Sequence, residues 1–426
     1  MKSFIRWIDH DQESRNRITE LMRFGRQKES RDELGIGTLR DSFSDQLFPG
    51  TSVLQTRLRY MLFIPWIYTR FEDRQLSPDK VEEEVKKFEL ALIERIRGSE
   101  DNDGLIGKRA GQDLKVLPSS IYWTGLGAWG IRSNQYATHT QSDYLKSLSS
   151  AYRKMKSMKT LRDEAYKIGE GEDAPVEQYR TWSSLPDPPE SFYDPEKLVD
   201  FRLSEEEAQV VLDYLNVNQG DTALFELAKS SDVTLDILSA EYLWDPIIQS
   251  VFSSRTKEII EHARLFSYCV KGGALLYNYL LARHKEKVFP EMAEKMVELA
   301  KQYASLLDEW SQLEENQNLD KWDFQKFKEI SRRSTHRVEN ALEFIEEWLE
   351  ILLTEKKPLY ESISAIELIR KREIKQKTSL SRFSRGNKRA LREWNGGSGT
   401  NRLSFRWSNV QTMINDIHTA LNQENS

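Results

Sequence analysis

The chain has almost nothing with which to staple itself covalently. It holds one cysteine, Cys269, in 426 residues. No intramolecular disulfide can form, and a cysteine-clustered zinc site is excluded. Such sparing use of cysteine suits a reducing compartment, so a cytoplasmic location is expected. The six histidines (His10, His139, His262, His284, His336, His418) stand singly, none of them four residues from another. A helical pair of metal ligands is therefore missing, and neither a metal nor another cofactor is expected. A P-loop and a nucleophile elbow are also missing. Gly35-x-Gly37 lacks a preceding strand and a third glycine, which rules out a dinucleotide fingerprint. Long apolar runs are absent too. The greasiest stretch, Tyr60 to Tyr68, is about half the length a membrane span needs and contains Pro65, so it reads as a buried, kinked helix and no membrane is expected. Met1 to Trp7 lacks the apolar segment of a secretory signal.

What the chain does have is rings and charge. With 11 Trp, 16 Tyr and 18 Phe, and 38% apolar residues, it can fill real cores rather than remain disordered. Strand signals are thin, and long stretches carry Glu, Lys, Leu and Ala at helical spacing, so the expected class is mainly α. The length suggests two to four domains. Residues 1–170 read as an N-terminal helical domain containing a winged-helix-like unit near 104–138. Five of the 12 prolines lie between Pro175 and Pro195, which marks 171–200 as a linker. Residues 201–369 read as an antiparallel helical bundle. A basic segment, 370–426, ends in a short helix.

Several local signals support that outline. Thr51 or Ser52 is a candidate N-cap for a helix over about 53–70. Pro78 opens a second helix. Ser204 with Glu207 spells a capping box. Ile259, Ala263, Phe266, Val270, Ala274, Tyr277 and Leu281 recur at helical spacing. Gly272 and Gly273 fall within this run, and two adjacent glycines suggest the close approach of another backbone.

The net charge of −6 conceals a partition. Residues 108–162 hold ten Lys/Arg against two acids, and residues 370–406 hold twelve against two. The remainder is strongly acidic. Two basic segments on an acidic body point to a polyanionic partner, or to neutralisation of the body itself.

Three constellations could carry function. In the first, residues 108–138 suggest a short helix, a tight turn at Leu117 to Ser120, a second helix striped by Tyr122, Leu126 and Trp129, and a short strand over 131–137. That order looks like a winged helix-turn-helix. It would present Ser119, Ser120, Trp123 and Thr124 outward to DNA and place Arg132 on the wing, with Lys108 and Arg109 on the phosphate backbone. In the second, Arg382, Arg385, Lys388, Arg389, Arg392, Arg402 and Arg406 are interleaved with Phe383, Trp394, Phe405 and Trp407. This mixture suits phosphate contact and base stacking, although a solvated tail or an arm docked on the acidic body has the same composition. The third is the turn at Phe48 to Ser52, where Thr51, Ser52, Arg57 and Arg59 could gather around a phosphate. Asp32, Glu33 and Asp41 could serve a metal-dependent nuclease, but read more simply as a helix-start salt-bridge network.

The stretches Arg31-Asp32-Glu33-Leu34-Gly35-Ile36-Gly37, Leu47 to Ser52, Gln55 to Tyr60 and Pro65-Trp66 resemble an uncharacterised bacterial family, the domain of unknown function DUF6361. The resemblance continues in Gly104 to Gly107, Pro118 to Trp123, Trp129 to Ile131, Leu275 to Asn278 and Phe405 to Trp407, and so covers nearly the whole chain. It implies membership of operons that also encode helicases and phospholipase-D-like nucleases, the setting of antiphage defence, and transfers no catalytic residue. The expected function is that of a non-enzymatic, DNA-associated subunit of a bacterial defence complex. It would recruit or regulate a helicase or nuclease and touch DNA without sequence specificity. The alternatives are a pure protein–protein adaptor and a cryptic metal-dependent nuclease.

Overall fold

The computed structural model describes residues 32–74, 76–150, 181–313, 318–384 and 386–422. Among them there are helices and no strands. The longer helices are α1 (Gly37–Leu47), α2 (Tyr60–Asp73), α3 (Pro78–Arg97), α4 (Pro118–Ala128), α5 (Glu205–Gln219), α6 (Ala223–Lys229), α7 (Ser254–Val288), α8 (Ala293–Ser311), α9 (Phe324–Ser331), α10 (Glu339–Thr354), α11 (Ile363–Lys377) and α12 (Trp407–Leu421). No described helix is long and apolar enough to cross a membrane. The first third of the expected linker, 171–180, and part of the first basic segment, 151–162, lie outside the described residues.

The chain divides into two compact units. Of the described residues, one unit holds 48–239 and 406–422, and the other holds 32–47 and 240–405. This division departs from the boundaries expected near 170–200 and 370. Residues 201–239 and α12 join the first unit, because α12 packs on α5 and α6.

In the first unit α2 packs on α3 and α4, and Tyr60, Phe63, Phe192 and Phe201 form its aromatic core. The helix expected from residue 53 begins only at Tyr60, since side chains capture the backbone before it. The amides of Thr56 and Arg57 donate to the Tyr122 hydroxyl (2.8 and 3.1 Å), and that of Leu58 donates to Asp416 (2.9 Å). The capping box forms as expected, with Ser204 and Glu207 exchanging bonds at the start of α5.

The winged-helix order expected over 108–138 does not form. Gly107 and Gly111 take positive φ (82° and 54°), which interrupts any first helix and leaves a single 3-10 turn, Gly111–Asp113. The expected strand over 131–137 is one isolated antiparallel bridge, Arg132 to Trp182, followed by the 3-10 turn Asn134–Tyr136. With Trp182 as its only partner, the segment cannot extend into a ribbon.

In the second unit α7 runs unbroken for 35 residues, and α1, α8, α10 and α11 pack against it. Gly272 does admit a close neighbour, but a ring rather than a backbone. A Cβ there would lie 2.5 Å from the Trp310 indole, whose Nε1 donates to the Tyr268 carbonyl (3.0 Å). Phe43 of α1 stacks on Phe327 (5.3 Å) and contacts Phe266 and Phe405. Trp348 is fully buried and donates to the Cys269 carbonyl (2.9 Å).

Candidate nucleic-acid interface

The turn at Phe48 to Ser52 does not hold free cations. Arg57 makes a double bond set to Asp101 (2.6 and 2.8 Å) and reaches Asp416 (3.1 Å). Arg59 pairs with Glu207 (2.7 Å) and Asp200 (3.3 Å). Burial opposes the charge on Arg57, but the two carboxylates outweigh it and hold its pKa above the ordinary value. Thr51 donates to the Phe48 carbonyl (2.6 Å), and the Ser52 hydroxyl accepts from Leu54 (3.3 Å). These four residues close a turn and brace the core, which corrects their expected place around a phosphate. Arg406 is spent nearby, donating to the Thr51 carbonyl (2.8 Å).

The outward face expected at 108–138 is largely turned inward. Ser119 is buried, and its amide and hydroxyl both bond to the Glu89 carboxylate of α3 (2.7 and 2.8 Å), which thereby caps α4. Burial pushes the Glu89 carboxyl up to about 7. Trp123 is buried and donates to the His139 carbonyl (2.8 Å). Ser120 bonds to Gln141 (3.0 Å). Arg132 is 1% exposed. Lys108, Arg109 and Thr124 are exposed, with Lys108 bonded to Asn102 (2.6 Å).

The basic segment of the second unit divides. Arg382 is an internal strut, paired with Glu33 (2.9 Å) and donating to the Tyr277 hydroxyl (2.7 Å). Arg402 is half-buried, its guanidinium over Tyr268 (4.3 Å) and Tyr242 (5.4 Å). Trp394, Phe405 and, in the first unit, Trp407 are buried, so these rings are core rather than stacking platforms. Arg385 lies outside the described residues. Lys388, Arg389 and Arg392 are exposed; Arg389 pairs with Glu393 (2.7 Å), and Arg392 lies 3.6 Å from Glu291.

Around these three the structure adds cations that composition alone did not single out. The short helix Lys388–Glu393 and α11 both pack on α7. Lys287, Lys295 and Arg370 are exposed there, and Lys375 is exposed on α11. Together with Lys388 they have no ion-pair partner among the described residues. Two neighbours register the crowding. His284 is held below its ordinary pKa by burial and then by Arg370 and Lys287. Lys285 is lowered by burial and then by Lys295 and Arg392. Lys285 itself is consumed, donating to the Arg392 and Trp394 carbonyls (2.9 and 2.8 Å) at the end of the short helix. A signal was available in the sequence: Lys371 and Lys375 are four apart on one side of α11, away from buried Ala365 and Ile369.

The acids that could have served metal chemistry have other employment. Asp32 caps α1 through the amides of Ile36 and Gly37 (2.7 and 2.8 Å), Glu33 pairs with Lys377 (3.0 Å) and Arg382, and Asp41 pairs with Arg40 (2.8 Å). Arg372 then locks this segment, donating to the Leu34, Gly35 and Asn340 carbonyls (2.6, 2.9 and 2.8 Å). Among the described residues no group of three or more His, Cys, Asp or Glu is placed to hold a metal.

Fold and site thus define a mainly helical protein of two units, one of which carries a cationic surface. The sequence profile of DUF6361, a family of unknown function, matches residues 2–420, and the chain belongs to that family. No curated protein and no solved structure matches it.

Proposed function

We propose that the protein is a non-enzymatic, DNA-associated subunit of a bacterial antiphage complex, which recruits or regulates a helicase or nuclease partner. The observation that carries the DNA part is the set of exposed cations with no ion-pair partner among the described residues, around the C-terminal end of α7 and along α11: Lys287, Lys295, Arg370, Lys375 and Lys388. Like charges brought close together repel one another and are relieved by a polyanion. Contact through lysine and arginine to phosphates carries no sequence information, so the binding is non-specific. The defence setting and the helicase or nuclease partner rest on the family resemblance. The helices around α7 are read as an antiparallel bundle that supplies the scaffold.

The test is binding of labelled duplex DNA to the full chain, comparing wild type with a variant in which these five cations become glutamine. Loss of binding with an unchanged melting temperature supports the reading. Equal binding by both overturns it.

A second reading, the pure adaptor, is favoured by apolar side chains exposed near the same surface. Ile363 is 75% and Leu380 70% exposed, with Ile374 at 45%, and such residues commonly mark a protein-binding face. It predicts a stable co-purifying partner, lost on Leu380→Asp, and no retention of DNA.

A further inference from the structure

In the first unit, buried polar atoms without a hydrogen-bond partner gather on two segments joined by one bridge. They are Arg132 Nε and Nη1, His139 Nδ1 and Thr181 Oγ1. The bridge is built from Ser133 donating to the Thr181 carbonyl and Ser183 donating to the Ile131 carbonyl, both at 2.9 Å. It sets Trp182 opposite Arg132, so those two side chains share one face and the Thr181 side chain takes the other. Orphaned buried donors are rare in folded proteins, and each lowers stability.

Arg132 is the exceptional member. Arg59, Arg70 and Arg97 also have an orphaned nitrogen, but Arg59 and Arg97 keep a carboxylate on another, Glu207 and Glu94, and Arg70 is only half-buried. Arg132 has no such partner among the described residues. Its one hydrogen bond runs from Nη2 to the Ala137 carbonyl (2.6 Å), and its face lies on Trp123 (4.4 Å). Glu72, the carboxylate of the surrounding aromatic cluster, is engaged by the Tyr144 hydroxyl and by Trp182 Nε1 (3.0 Å). The position is nonetheless built. A Cβ on Gly127 would fall 2.6 Å from Arg132 Nη2 and 2.1 Å from the Ala137 carbonyl, so only glycine leaves room for the guanidinium. Trp123 and Trp182 meet edge to face (5.8 Å, 89°) and hold the platform beneath it. A guanidinium fixed in this way, with free N–H donors and no internal anion, is the usual receptor of an oxyanion.

We propose that Arg132 binds an oxyanionic group, a phosphate or a carboxylate, through its unpartnered Nε and Nη1 donors. The site stands apart from the cationic surface of the second unit and does not depend on the DNA reading.

The experiment is thermal denaturation of the full chain at constant ionic strength, with chloride replaced stepwise by phosphate or by acetate. Wild type, Arg132→Met and Arg132→Lys are compared. Wild type should melt at a temperature that rises with the logarithm of the concentration of the bound anion. A response to phosphate alone identifies a phosphate-bearing ligand, and a response to acetate alone a carboxylate. Arg132→Met should lose the response, and Arg132→Lys, which keeps the charge but not the forked donors, should need about tenfold more anion. The five-glutamine surface variant should keep the response in full, which separates this site from the other reading. Two outcomes overturn the proposal: a wild-type response no greater than in chloride, or an equal response in Arg132→Met. Where Arg132→Met does not fold, an unchanged concentration dependence in Arg132→Lys overturns it instead.

Discussion

Two groups of cations near aromatic residues are much alike as sequence: Arg57 and Arg59 of the first unit, and Lys388, Arg389 and Arg392 of the other. The fold treats them in opposite ways. Four carboxylates, from Asp101, Asp200, Glu207 and Asp416, close on the arginine pair. The group at Lys388 to Arg392 stays at the surface, paired among the described residues with Glu393 and Glu291, and Lys287, Lys295 and Arg370 are exposed nearby. A positive residue becomes a strut or a contact according to the supply of acids on the elements packed against it, and those acids lie far away in the chain. Asp416 is 359 positions from Arg57.

The contrast can be broken at its strongest point. Arg57→Met removes the partner of the buried Asp416 carboxylate and should lower stability by about 3–5 kcal/mol. Urea denaturation checks this, and a change under about 1 kcal/mol would show that the pair does not brace the unit.

The next largest effect concerns a buried acid of the first unit. Burial raises the Glu89 pKa from the ordinary 4.5 to about 7. The folded state therefore keeps a proton that the unfolded chain has released, and stability falls as pH rises through that window, by roughly 3 kcal/mol. Melting temperatures from pH 4.5 to 8 should show the fall, and Glu89→Gln should flatten it.

A smaller effect of opposite sign belongs to the second unit. His262 accepts from Trp322 Nε1 at Nδ1 (2.9 Å), and burial holds its pKa below the ordinary 6.5. The folded state favours neutral imidazole, so stability is lost as pH falls through the ordinary value. His262→Gln should remove this acid-side loss. It should also cost about 1 kcal/mol above pH 7 if the amide does not replace the bond. The smallest effect is Arg389→Ala, an exposed pair, with a change within about 0.5 kcal/mol in the same denaturation assay.

Much of the helical content was legible. The capping box at Ser204, the proline opening α3 and the repeat along α7 each depend on residues within one or two turns of each other. What could not be read was set by distant partners. The start of α2 is delayed by Tyr122 and Asp416, and Ser119 is claimed by Glu89, so a turn that resembled the approach to a recognition helix is an internal cap. The helix–turn–helix pattern over 108–138 failed on Gly107 and Gly111, whose positive φ was foreseeable only as a possibility of glycine. The basic tail was legible as charge, but not as the mixture of struts and surface residues that it is.

The central claim is that the cations around the end of α7 receive a polyanion while those of the Arg57 segment do not. Its most direct test is the salt dependence of duplex DNA binding by the full chain between about 50 and 200 mM, followed by fluorescence anisotropy. Five phosphate contacts predict a slope of log affinity against log salt near −4 to −5. Changing Lys287, Lys295, Arg370, Lys375 and Lys388 to glutamine should bring it close to zero. No binding by wild type at about 50 mM salt, or the same slope in the variant, would contradict the account.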